Sequence, residues 1–429
     1  MWRLFRTAWP SASLRRLWSS PRRLSRVGRY TWRLHWRASV ASGLAEGILG
    51  LATFVAMRSL GAPIWIAPAM VVLSQASWIA SPMWEHAVSR VPPHRAFRIF
   101  GLLAFAGLAA IAFVGVERTA GHDGYGTGDL TLFLGCFVLV HVVFGGQIAQ
   151  RGALIRANYA VLNRGRVFGA LSVVSRSASI ASTKAAGALL NADPRWLRVV
   201  FPLAGLLYLA ENATLSLVRW RRGGRTHGGG AGFREAWKRS ARLLRDDPTF
   251  RRYELAWMLY GIGFLMGIPM VTVLGESVLQ FSYNEWTWAQ GAALPVATVV
   301  GTIPAGRLVD RVGAVRTTAF AYALLTAFFA LLPFATTFGH VVAAFVLWGF
   351  AMAGIGIVWN LGPLAFAAEG EGRKYAAAHV ALVGVRSVIG PPLGLLIAET
   401  VALRATFVVS ACLIATAGVI CWRLPAPSR

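Results

Sequence analysis

Charge is scarce in this sequence. Only 14% of the 429 residues are Asp, Glu, Lys or Arg, whereas soluble proteins carry about 25%. Hydrophobic residues make up 56% of the chain, and the mean hydropathy is +0.55. This composition excludes a soluble multidomain protein and predicts an integral membrane protein.

Cysteines are few, and the common catalytic motifs are missing. Cys136, Cys412 and Cys421 all lie in apolar stretches and lack the spacing of metal ligands. The chain holds no H-E-x-x-H, G-x-S-x-G or phosphate-binding-loop pattern. We therefore predict neither an enzyme nor a bound metal or cofactor.

Long apolar stretches recur along the whole chain. Each holds about 20 residues, enough for a helix to cross a hydrocarbon core of about 30 Å. The polar-apolar alternation typical of membrane β-barrels is absent. We predict an all-α membrane protein with twelve transmembrane helices, at residues 38–58, 62–82, 96–116, 130–150, 167–190, 198–218, 253–275, 287–306, 317–334, 340–362, 375–398 and 403–422.

The basic residues follow this topology. The formal net charge is +26, and most Lys and Arg lie in the tails and in the loops that follow even-numbered segments. Cytoplasmic loops retain positive charge, so both termini are expected in the cytoplasm. The basic segments suit membrane lipids rather than nucleic acid. The Arg-rich start predicts a cytoplasmic tail in a bacterial inner membrane or, alternatively, an organellar targeting peptide.

A long polar stretch divides the segments into two sets of six. SRVPPHR at 89–95 matches DRVGAVR at 310–316, and both follow the second segment of their half. We therefore predict two pseudo-symmetric six-helix bundles, the arrangement of transporters built from repeats. The predicted regions are a basic tail (1–37), an N-terminal bundle (38–218), a cytoplasmic linker (219–252), a C-terminal bundle (253–422) and a cytoplasmic tail (423–429).

One charged cluster stands between apolar segments at residues 306–316. It resembles the loop motif G-x-x-x-D-[RK]-x-G-R-[RK] of the major facilitator superfamily, but Ala314 and Val315 replace the usual basic pair. The resemblance implies a transporter fold with a cytoplasmic gate that closes in one state and opens in the other. The implied gate residues are Gly306, Asp310, Arg311, Gly313 and Arg316, together with Arg90 of the first-half copy, where Ser89 stands in place of the acid.

Ionisable side chains inside the segments are expected to face a cavity or a partner, because each costs about 2.5 to 3.5 kcal/mol at mid-membrane. Arg176 and Arg386 would flank a central cavity and attract an anionic solute. Alternatively, Glu46 or Glu211 pairs with Arg176 and locks the N-terminal bundle. The candidate solute-binding or proton-coupling residues are Glu46, His141, Arg176, Glu211, Asn360 and Arg386, while Gly390, Pro391 and Pro392 predict a helix bend and His379 is expected at the membrane interface.

These features predict a secondary active transporter that moves a small solute by alternating access. An anionic solute, coupling to protons through Glu46 or Glu211, and a monomeric chain are further expectations. The alternative is a transporter-like sensor or scaffold that binds without moving a solute. An open central cavity favours transport, whereas a filled core favours the scaffold.

Overall fold

The computed structural model describes residues 24–79, 91–115, 127–159, 161–220, 233–368 and 371–425. Within these ranges the chain forms helices and turns, with no β-strand. The all-α fold expected from the sequence is therefore confirmed.

The described residues of the N-terminal half form seven helices. α1 packs against α6 and α7, and α4 packs against α5 and α7. α1 and α2 together form the first predicted segment, which breaks at Gly50 and Leu51. The helices are α1 (Arg26–Leu49), α2 (Ala52–Leu60), α3 (Ile66–Ile79), α4 (Pro93–Ala109), α5 (Thr127–Asn158), α6 (Val161–Ala192) and α7 (Leu197–Ser216).

The linker and the C-terminal half form the remaining helices. π-Helical turns follow α9 at Leu274–Val278 and separate α10 from α11 at Ala289–Ala293. α11 packs along α12 and α14, and α9 packs against α13 and α14. The helices are α8 (Phe233–Asp246), α9 (Pro248–Val273), α10 (Tyr283–Trp288), α11 (Leu294–Leu331), α12 (Phe338–Leu361), α13 (Gly372–Thr400) and α14 (Leu403–Arg423).

Local sequence signals fix several helix ends. Asp247 precedes Pro248, and its carboxylate accepts hydrogen bonds from the backbone amides of Thr249 at 3.0 Å and Phe250 at 2.9 Å. An acid at the N-cap followed by proline at the first helical position is a strong start signal. It ends the linker helix α8 and begins α9.

α11 holds most of two predicted segments, 287–306 and 317–334, and turns between them at Gly313. The φ and ψ angles of Gly313 are 82° and 166°, a conformation that glycine adopts without the clash of a Cβ atom. Thr317 bonds back to the carbonyl of Gly313 at 2.8 Å and starts the second part. The charged motif therefore lies on a sharp change of direction between two long helices.

Nine helical stretches of the described chain are long and apolar enough to cross a membrane. One of them, Tyr283–Phe334, contains two predicted segments, and Ile66–Gln75 is a shorter apolar helix. The number of twelve spans stays a prediction. α13 runs through Pro391 and Pro392 as one helix, so the predicted bend there also stays a prediction.

The two halves contact each other along an interface that we call the seam. We call the end of the bundle where α1 begins the inner end and the opposite end the outer end. α3 packs against α9 and α13, and α6 packs against α10. At the outer end, the rings of Phe54 and Trp286 stack with centroids 4.9 Å apart, and Ser59 hydrogen-bonds to Tyr283.

Candidate solute-binding cavity

A cavity of about 400 Å³ opens in the N-terminal half. Sites for small molecules typically measure about 300 to 1,000 Å³. α1, α2, α3, α5 and α7 supply its wall, which is largely apolar and aromatic with a few polar groups. The lining residues are Glu46, Leu49, Gly50, Thr53, Met70, Val71, Ser74, Phe137, His141, Phe144, Gln147, Arg151 and Tyr208.

Several polar side chains in and beside this cavity form one connected network. The Ser42 hydroxyl donates to Glu46 Oε1 at 3.0 Å and accepts from Arg151 Nη2 at 3.4 Å. Arg151 also forms a salt bridge with Glu211, and Gln147 Nε2 donates to Glu211 Oε2 at 3.4 Å. Three helices, α1, α5 and α7, are thereby joined by their polar side chains.

Helical spacing explains how these side chains come together. Ser42 and Glu46 are four residues apart on α1, and Gln147 and Arg151 are four residues apart on α5. Residues with this spacing lie on the same face of a helix. On α7, Asn212 adds a further bond by accepting from Gln147 at 3.0 Å.

The network contains two carboxylates and one guanidinium. Glu211 is only 1% exposed and is bonded directly to Arg151, whereas Glu46 is exposed and lines the cavity. When all three groups are ionised, the formal charge of the network is negative. The cavity therefore favours a proton, a cation or a hydrogen-bond donor next to Glu46 over an anion.

A second cavity of about 110 Å³ lies between the two halves. Gly50, Thr53 and Val71 line both cavities, so the two volumes adjoin. The C-terminal half supplies Thr272 and Gln290 to the smaller cavity, along with apolar groups. Gln290 lies on the π-helical turn after α10, an irregularity that is frequent at functional sites.

Two of the sequence-predicted site residues line the larger cavity. Glu46 contributes its carboxylate, and the His141 ring lies 4.0 Å from Phe137 and bonds through Nδ1 to the Phe137 carbonyl at 2.9 Å. Glu211 does not line the cavity, but it contacts Arg151, which does. Sequence reasoning missed Arg151 and Gln147, although their spacing of four residues at the end of the fourth segment was a usable signal.

Arg176 lies elsewhere. It is exposed on α6 and lines neither cavity, and the partner of Glu211 is Arg151 instead. The reason is helical phase, because α6 turns its serine face towards α1: the backbone of Ser175 lies against Gly43. The next residue points about 100° away around the helix.

Arg386 is buried in the C-terminal half and also lies outside both cavity linings. Its Nη1 donates to the Trp257 carbonyl at 2.7 Å, and its guanidinium lies 5.4 to 5.6 Å from the ring centres of Trp257, Tyr260 and Trp359. Gly261 makes room for it, since a Cβ atom at that position would overlap the arginine side chain. Hydrogen bonding and cation–π contacts thus compensate this buried charge.

The predicted gate residues lie at the inner end. Asp310, Arg311 and Arg316 are exposed around the turn at Gly313, and Gly306 lies one turn of α11 before Asp310. Arg90 falls outside the described residues, as does the side chain of Asn360 near the end of α12. The gate stays a prediction.

Comparison with known protein families identifies the family to which the chain belongs. The Major Facilitator Superfamily pattern matches residues 36–365 and 278–429. The chain belongs to the major facilitator superfamily. No curated protein sequence matches the chain.

Solved structures of the major facilitator superfamily share this fold. A mutant of the nucleoside transporter NupG superposes with a TM-score of 0.70 at 10% identity, over 91% of this chain and 99% of its own. A D-xylose-proton symporter gives 0.66 at 13% identity, over 92% and 98%. A bacterial homologue of the human lysosomal transporter Spinster, inward-facing and unoccupied, gives 0.65 at 15% identity, over 93% and 97%.

Membership of the major facilitator superfamily places the chain among membrane transport proteins rather than enzymes. At identities of 10 to 15%, the solved structures support the fold alone. The solute, the coupling ion and the site residues have to be argued from this chain's own cavity.

Proposed function

We propose that the protein is a proton-coupled secondary transporter for a small polar solute that is neutral or cationic. The observation that carries this proposal is the exposed carboxylate of Glu46, which faces a cavity whose guanidinium is already bonded to Glu211. The two halves would rock about this cavity to expose it alternately at either end.

The charge of the cavity argues against the anionic solute expected from the sequence. That expectation rested on Arg176 and Arg386, and neither lines the cavity. Arg151 is the cation in the lining, and two carboxylates lie within its network. An anion would therefore enter a site with an excess of negative charge, whereas a donor or cation would be attracted.

The shape of the cavity suits a solute with a flat or apolar part. Phe137, Phe144 and Tyr208 line the cavity together with a few polar groups. Aromatic faces bind planar rings and cations. The presence of this open volume also supports transport over the alternative of a non-transporting scaffold, which needs no cavity.

Glu46 is suited to carry the coupling proton. Ser42 donates to its Oε1, and Glu46 lines the cavity. A proton on Glu46 removes one negative charge from the network and leaves the pair of Arg151 and Glu211 electrically balanced. Exchange between proton and solute at this carboxylate would couple their movements.

The solute class can be tested with purified full-length protein. We expect that in a thermal-shift screen at two pH values, nucleosides, sugars and small amines raise the melting temperature, and mono- and dicarboxylates do not. Stabilisation by carboxylates alone would contradict the proposed charge preference.

Replacement of the cavity carboxylate tests the coupling. In proteoliposomes loaded with a pH-sensitive dye, we expect Glu46→Gln to lower solute-driven proton movement by at least about tenfold, the scale of a lost charge interaction of about 1.4 kcal/mol. Solute counterflow, which requires no net proton movement, should persist. The matched control is Glu399→Gln, which removes an exposed carboxylate at the outer end of α13. Proton movement that survives in Glu46→Gln would rule out this residue as the carrier.

A further inference from the structure

A buried acid-imidazole pair lies in the C-terminal half, outside both cavities. Glu254 Oε1 and Oε2 lie 3.0 and 3.1 Å from His379 Nδ1, and each side chain is 2% exposed. Glu254 belongs to α9 and His379 to α13. Neither residue lines either cavity, so the solute site does not account for the pair.

The second nitrogen of His379 has no hydrogen-bond partner within the described chain. His379 Nε2 is fully buried, and the rings of Trp257 and Trp359 stand edge-on to the imidazole, each with its centroid 4.7 Å away. Because an ionised carboxylate only accepts hydrogen bonds, Nδ1 carries a hydrogen when Glu254 is ionised. Nε2 is then the free basic nitrogen of the neutral ring.

We propose that Glu254 and His379 form a proton-binding site that is separate from the solute cavity. A hydronium ion gives its proton to His379 Nε2 and leaves as water, so that one N–H bond forms and no other covalent bond of the protein changes. The resulting imidazolium remains in contact with the Glu254 carboxylate, which compensates its charge. A buried imidazole without such a counter-ion would resist protonation.

Other charged groups around the pair limit it to one proton. Arg386, on the same helix as His379, interacts electrostatically with Glu254. One added proton makes Glu254 the shared counter-ion of two cations. The titratable groups that interact electrostatically with Glu254 or Arg386 include Tyr253, Tyr260, Tyr322 and Cys421.

The pair lies where a change in its charge can affect the contact between the two halves. α13 packs against α3 of the other half, while α9 and α13 pack against each other. A change of charge between α9 and α13 therefore acts on a helix that forms the seam. This inference does not depend on the solute or on Glu46, because proton binding can be measured without either.

Nuclear magnetic resonance on full-length protein with nitrogen-15-labelled histidine tests the site. The chain has eight histidines, and loss of one signal in His379→Gln assigns the residue. We expect the wild-type imidazole to carry one hydrogen at about pH 8 and two at about pH 5, the range in which histidine changes charge. In Glu254→Gln the same ring should stay neutral at both pH values. His340→Gln, at an exposed position, is the control and should leave the His379 signal unchanged.

Two results would overturn the proposal: a single protonation state of wild-type His379 over that range, or a Glu254→Gln signal that titrates like the wild type. Should Glu254→Gln not fold, potentiometric titration of wild type against His379→Gln replaces it. A difference of one proton per molecule supports the site, and equal proton uptake contradicts it. Glu46→Gln should leave this titration intact, which separates its outcome from that of the proposed function.

Discussion

At the scale of single residues, the buried charges in the described part of the chain lie beside compensating groups. Glu211 is bonded to Arg151, Glu254 to His379, and Arg386 to a carbonyl and three aromatic rings. A lone charge in such a setting would be strongly destabilising. Removal of one partner should therefore cost more than removal of both.

Arg151→Met tests this rule in the cavity network. We expect the free energy of unfolding to fall by about 2 to 3 kcal/mol, less than the roughly 3 to 5 kcal/mol of a fully buried pair, because the Arg151 side chain is 29% exposed. The double variant Arg151→Met with Glu211→Gln should recover most of the loss. Arg176→Met, an exposed arginine, should stay within about 0.5 kcal/mol of wild type. Equal losses in the single and double variants, measured by unfolding in mixed micelles, would contradict the compensation.

The sequence indicates some of these residues and not others, for a physical reason. Glu46 and His141 stand out because an ionisable group within an apolar segment is conspicuous. Arg151 and Glu254 lie near segment ends, where charges are common and carry little information. Which of them share a site depends on helix rotation, and rotation is set by packing contacts such as that of Ser175 against Gly43.

At the scale of helices, the predicted segments correspond to the observed elements, while their ends and irregularities do not follow from hydropathy. α11 holds most of the segments 287–306 and 317–334, because the turn at Gly313 is a single residue. The π-helical turn that carries Gln290 leaves no mark on the apolar pattern, since it changes backbone hydrogen bonding rather than composition.

The contact between α9 and α13 in the C-terminal half depends on Gly261. A Cβ atom there would overlap the Arg386 side chain, so we expect Gly261→Ala to lower the free energy of unfolding by about 1 to 3 kcal/mol, the usual cost of overpacking. Gly169→Ala is the matched control, since its Cβ would meet no atom within 4 Å. It should be neutral or stabilising by up to about 1 kcal/mol. Thermal unfolding that is equally affected in the two variants would refute the packing role.

At the scale of the whole molecule, the halves are joined at the outer end by side chains that cross the seam. Lys184 Nζ donates to Thr287 Oγ1 at 3.2 Å and lies 4.3 Å from the centre of the Trp288 ring. Ser59 bonds to Tyr283, and Phe54 stacks on Trp286. Composition and repeats predict two bundles, but not which end is closed, because both states of a rocking transporter share one sequence.

Weakening these contacts should shift the equilibrium from the state that is closed at the outer end towards the state that is open there. Ser59→Ala with Lys184→Met removes two hydrogen bonds and one cation–π contact, which together contribute about 1 to 3 kcal/mol. This corresponds to a change of roughly 5- to 150-fold in the ratio of the states. With Cys136, Cys412 and Cys421 replaced and spin labels at Arg195 and Glu399, pulsed electron paramagnetic resonance should show a larger population of long distances between the two labels.

The control is Thr302→Ala. The Thr302 hydroxyl bonds within α11 to the Thr298 carbonyl at 2.8 Å, so its removal breaks a hydrogen bond that does not cross the seam and should leave the distances unchanged. An identical distance distribution in the wild type and the double variant would mean that the outer contacts do not set the conformational balance, and that other contacts, such as those of α3 with α13, hold the halves together.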